Sequence, residues 1–136
     1  MAWRQKADFG DVSVDKLWDI SFTVGADAGT TVTTNIVITD AVSGGAPGKA
    51  LALYFYLSSD SAGQVPEAGT DCACTAGTNG AVIVSGGDSS IDGMLIAETT
   101  GLMDFVVTDT GTDAYYLNVV MPDGRVETSS VLTFAA

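Results

Sequence analysis

Leu51-Ala52-Leu53-Tyr54-Phe55-Tyr56-Leu57 decides the reading of this chain. Side chains on a β-strand point alternately to opposite faces. Leu51, Leu53, Phe55 and Leu57 therefore share one face, and Ala52, Tyr54 and Tyr56 share the other. A run that is apolar on one side and aromatic on the other belongs in the middle of a sheet. Working outward, the same period of two recurs. Ile20, Phe22 and Val24 share one face of an earlier run, and Val32, Thr34, Ile36 and Ile38 share one face of the next. That second run ends at Asp40 and the turn-forming Ser-Gly-Gly-Ala-Pro-Gly of residues 43 to 48.

Downstream, short runs follow at Ala81 to Val84, Met94 to Ala97, Asp104 to Thr108, Tyr115 to Val120 and Arg125 to Phe134. The last two are joined by Met121-Pro122-Asp123-Gly124. There Pro presets the turn, and Gly supplies the positive φ of a bulged hairpin. Residues 58 to 80 are polar and glycine-rich and give no sign of regular structure. Helical periodicity is absent. Seven or eight short strands with frequent turn signals predict an all-β sandwich or barrel.

Composition fits a single domain of this kind. The chain has 136 residues, 46% of them hydrophobic and only 16% charged, enough apolar material for a core without staples. Residues 1–19 show no sustained periodicity, carry both tryptophans, Trp3 and Trp18, and read as an N-terminal arm; residues 20–136 read as the sandwich. The first sixteen residues balance Arg4, Lys6 and Lys16 against Asp8, Asp11 and Asp15. The whole formal charge of -12 therefore falls on the body, whose only cations are Lys49 and Arg125. So acidic a body repels phosphate backbones and anionic lipid, so neither nucleic acid nor membrane is expected as a partner. A basic partner surface suits it. The N-terminal residues lack the apolar core of a secretory signal, and no run approaches a membrane span of about 20 residues.

At Asp109-Thr-Gly-Thr-Asp-Ala-Tyr115-Tyr116-Leu117 the sequence resembles the passage from strand E to strand F of immunoglobulin-like domains, where a tyrosine hydroxyl closes a corner. The Pro-Asp-Gly hairpin and the closing Val131-Leu132-Thr133-Phe134 are similar to the F to G ending of bacterial and phage immunoglobulin-like domains, and Ile38-Thr39-Asp40 to their B to C passage. Leu117 and Ile36 or Ile38 stand where antibody domains carry cystines, and the third strand has no tryptophan, which excludes an antibody-type domain. The resemblance implies an immunoglobulin-like antiparallel β-sandwich. It also implies a setting: a non-enzymatic accessory component of a tailed-phage virion, on capsid or tail, that attaches through protein contacts and forms a homo-oligomer. The alternative is an adhesin-type module that recognises glycan or host protein through end loops such as 58 to 80.

The chain contains no histidine, which removes the usual general base and the commonest transition-metal ligand. Cys72 and Cys74, one residue apart, read as two free thiols with no cationic neighbour to activate them. No cofactor is expected. Calcium is the one metal to weigh, through Asp109 and Asp113 with Asp104, or through Asp88 and Asp92; solvated turns explain the same residues. The candidate interface residues are Trp3, Arg4, Lys6, Trp18, Tyr54 and Tyr56. Tyr54 and Tyr56 either meet a partner or pack beneath the 58 to 80 loop.

Overall fold

A computed structural model describes residues 17–67, 72–84 and 91–135. These form nine strands: β1 Trp18–Val24, β2 Thr31–Asp40, β3 Leu51–Ser58, β4 Cys72–Ala76, β5 Ala81–Val84, β6 Asp92–Ala97, β7 Leu102–Asp109, β8 Ala114–Val120 and β9 Val126–Thr133. They make two antiparallel sheets, one ordered β1-β2-β7-β4 and the other β5-β6-β3-β8-β9. β3 is the central strand of the second sheet, as its two apolar faces require.

The sheets meet through the alternate residues named from sequence. Val32, Ile36 and Ile38 of β2 and Leu53, Phe55 and Leu57 of β3 are buried, joined by Met103, Phe105 and Val107 of β7 and Leu117 and Val119 of β8. Phe55 and Phe105 come from opposite sheets and meet edge-on, their ring centroids 4.7 Å apart and their planes at 73°. The β8–β9 turn is the bulged hairpin expected: Gly124 has φ 90°, its amide bonds to Met121 O at 2.9 Å, and Met121 N bonds to Arg125 O at 2.7 Å.

Two features depart from the sequence reading. The stretch 58 to 80 holds regular structure, because β4 pairs with β7 from Cys72↔Asp109 to Ala76↔Phe105 and supplies the strand beyond seven or eight. The path of the chain also differs from the immunoglobulin plan. The nine strands occupy the positions A-B-E-D and C″-C′-C-F-G of a variable-type sandwich. Between positions C and E, however, the immunoglobulin chain visits C′, C″ and D in turn, whereas here β4 takes position D first, then β5 takes C″ and β6 takes C′. The packing demands of two sheets fix where strands lie.

Candidate binding face

The outward side chains of the two sheets differ in kind. On the β1-β2-β7-β4 sheet they include Ser21, Thr23, Thr31, Thr33, Asn35, Thr39, Asp104, Thr108 and Thr75, interrupted by Val37 beside Leu102, by Val106 between Thr33 and Thr75, and by Ala73. Asp104 is a hub there, accepting from Asn35 Nδ2 at 2.8 Å, Asn79 N at 3.1 Å and Asn79 Nδ2 at 3.0 Å. Such a face is satisfied by water.

The five-stranded sheet presents an apolar row instead. The registers place Ile83 beside Met94, Met94 beside Tyr54, Tyr54 beside Val120 and Val120 beside Val126, crossing all five strands. Ile83 is 58% exposed, Val126 45% and Tyr54 41%. Ala52, Ala81 and Ile96 extend the row on one side. An antiparallel sheet that faces water on one side normally alternates apolar and polar residues, so this face is out of place unless something covers it.

Tyr54 and Tyr56 behave differently on this face. The Tyr54 hydroxyl donates to Asp92 Oδ2 at 2.9 Å, and its partial burial together with that carboxylate raises its pKa. The Tyr56 hydroxyl donates to Gly63 O at 2.6 Å. Tyr56 thus packs under the loop after β3, while Tyr54 stays open. Tyr56 follows the packing reading, and Tyr54 is left as the exposed member of the pair. The loop is further held by Asp60, whose carboxylate accepts from Gln64 N and Val65 N and is thereby kept below its ordinary pKa. Beneath it Asn118 is fully buried: its Nδ2 donates to Ser58 Oγ at 2.8 Å, and its Oδ1 accepts from Thr128 Oγ1 at 2.6 Å. Residues 58–67 are thus bonded within themselves around Asp60 and tied to the sheet through Gly63 O and through Glu67 N, which donates to Leu57 O at 2.8 Å.

Two clefts open at the ends of β6 on the same face. One, of about 350 Å³, is lined by Tyr54, Tyr56, Leu57, Pro66, Ile91 and Asp92. The other, of about 420 Å³, is lined by Ala50, Gly80, Ala81, Ile96, Glu98 and Thr99 together with Ala97.

Of the other residues named from sequence, Trp3, Arg4 and Lys6 lie outside the described residues, as does Asp88. Trp18 opens β1 and packs against the core. The two cations of the body gather on it, Lys49 Nζ lying 5.8 Å from the ring centroid and Arg125 donating to Trp18 O at 2.7 Å. Trp18 is therefore part of the sandwich rather than of an arm. Asp109 and Asp113 do converge, on the Tyr115 hydroxyl, which donates to Asp109. Asp109 also accepts from Gly111 N at 2.6 Å. The corner is thus closed by a carboxylate side chain rather than by backbone, and Asp104 points away from it on the outer face. Among the described residues no group of three or more acidic or cysteine side chains is placed to hold a metal ion. Cys72 and Cys74 form no disulfide, and both are buried on one side of β4. Burial first, then the Asp109 carboxylate, pushes the Cys72 thiol up to about 11, and burial raises Cys74 as well.

The apolar face itself was readable only in part. β5, β6 and the end of β8 are apolar at both parities, which signals either burial on both sides or an exposed apolar face; the register decides for the second. No protein-family model and no curated protein matches the chain. Among solved structures it is similar to the cohesin module of a family 33 glycoside hydrolase from Clostridium perfringens, with 10% identity and a TM-score of 0.42 over 87% of this chain and 93% of that one. It is also similar to the yeast GGA1 GAE domain, with 9% identity and a TM-score of 0.27 over 91% and 96% of the two chains. A third likeness is to the GAE domain of GGA2p from Saccharomyces cerevisiae, with 10% identity and a TM-score of 0.25 over 88% and 89%. With TM-scores below 0.5 these are distant likenesses.

Proposed function

We propose that this chain is a non-enzymatic protein-binding module whose binding surface is the outer face of the five-stranded sheet. The observation that carries the reading is the apolar row Ile83, Met94, Tyr54, Val120 and Val126, set against the threonine-rich outer face of the other sheet. Exposed apolar patches rimmed by polar residues mark interaction sites, and a tyrosine at the centre of one is the residue type enriched there. The absence of histidine from the sequence and the buried, protonated state of both thiols support the non-enzymatic part.

The test is a photoreactive residue placed at position 54 and, separately, at position 33 of the opposite face. Cross-links to protein in the cells that make the chain are expected from position 54 only; an equal yield from both positions rules the face out. The setting taken from the resemblance, an accessory part of a phage virion that self-associates, is proposed with it. Light scattering of the chain with and without residues 1–16 reads that part: an oligomer falling to monomer on truncation supports an arm-held assembly, and a monomer in both cases removes self-association.

A further inference from the structure

Resting on the reading of this face as a binding surface, we propose that its partner is an extended protein segment that lies along β6 and carries two basic side chains about 20 Å apart with apolar residues between them. Outward along β6 come Asp92, Met94 and Ile96, while Gly93, Leu95 and Ala97 point inward, and Glu98 follows directly on the end of the strand. Six residues at about 3.3 Å each separate the two carboxylates by about 20 Å. Each carboxylate stands in the wall of its own cleft, and each is oriented from within the fold, Asp92 by the Tyr54 hydroxyl at 2.9 Å and Glu98 by Gly80 N at 3.0 Å.

A cleft with apolar walls and one fixed carboxylate fits a lysine or arginine, whose methylene stem takes the walls and whose head takes the charge. At the Asp92 cleft the Tyr54 and Tyr56 rings, 6.1 Å apart, add a surface on which a guanidinium can stack. Met94 and Ile96 between the clefts match the second and fourth positions of an extended segment, whose alternate side chains point the same way. The charge of the chain agrees, since its body carries all of the -12 and engages its own two cations at Trp18. The expected pattern is basic at positions i and i+6 with apolar residues at i+2 and i+4.

The experiment pans a displayed library of random twelve-residue peptides on the immobilised full chain. Enriched peptides are expected to carry the basic pair at that spacing, to lose at least tenfold in affinity against Asp92→Asn and against Glu98→Gln, and to weaken as salt rises. Enriched peptides without the pair, indifference to both substitutions, or no enrichment overturn the proposal. Met94→Asp separates the two levels of argument. If it abolishes binding while the carboxylate variants do not, the face stands and the basic partner fails; if it changes nothing, the face itself fails. Binding that appears only after removal of residues 1–16 makes the chain's own N-terminal segment the occupant and likewise overturns a foreign partner. Unchanged far-ultraviolet spectra and melting of each variant establish that folding is not the cause.

Discussion

Tyr115 shows how one buried hydroxyl can hold a corner. Its partner Asp109 is also buried, at 2% exposure, and its two oxygens are shared between the hydroxyl and Gly111 N. Tyr115→Phe removes a donor and leaves a buried carboxylate short of one partner, at a cost of about 1 to 3 kcal/mol, measured as a lower urea midpoint with an unchanged slope. Cys72, opposite Asp109 across the sheet, carries a second expectation. Its thiol is raised from 9.0 to about 11 in the fold, so the protonated form is favoured there. The stabilisation it contributes is complete below pH 9.0 and is lost as the pH climbs towards about 11, because the unfolded chain gives up its proton first. The urea midpoint should fall across that range, and Cys72→Ala should make the fall shallower. Thiol reagents at pH 8 should modify neither cysteine until the chain unfolds.

Among elements, the loop 58–67 is the informative one. Gly63 has φ +68°, and a Cβ there would overlap the Asn118 side-chain oxygen. Gly63→Ala therefore carries left-handed strain of about 1 to 2 kcal/mol and displaces the loop from Asn118. Proteolysis within residues 59–66 should accelerate, and the melting temperature should fall by about 3 to 10 °C. Acid should reach the same loop through Asp60. Its folded pKa lies below the ordinary 3.8, so its support is present above that value and is lost as pH falls through the lowered one. Amide shifts of Gln64 and Val65 should report the change. β4 illustrates the opposite problem. Five residues, Cys-Ala-Cys-Thr-Ala, bury only Cys72 and Cys74 on the inner side, too short and too weakly apolar a pattern to stand out from a glycine-rich stretch.

For the whole molecule, the inner halves of the strands carry stability and the outer face of the five-stranded sheet carries the proposed binding. Phe55→Ala opens a void between the sheets opposite Phe105 and should cost about 3 to 5 kcal/mol by denaturant unfolding. Val126→Lys on the exposed row should change stability by no more than about 0.5 kcal/mol. Yet it should lower retention on a hydrophobic matrix and cross-linking from position 54, because it charges the row without touching the core. A substitution that altered both readouts together would show the row to be packed rather than presented.

The sequence by itself determined every strand but β4, the inner faces of β1 to β3 and the closing hairpin, because alternation at a period of two and turn chemistry are local properties. It also determined the acidity of the body and the lack of histidine. It left the role of the tyrosines divided between partner and loop. Only the tertiary structure decided that Tyr56 is tied to Gly63 and that Tyr54 is left open. The order in which β4, β5 and β6 fill their positions, and the union of five separate apolar residues into one row, were likewise decided there. The physical reason is that a face is made by register between strands distant in sequence. A strand apolar at both parities states that it has two dry sides, and only its neighbours decide whether the second is covered.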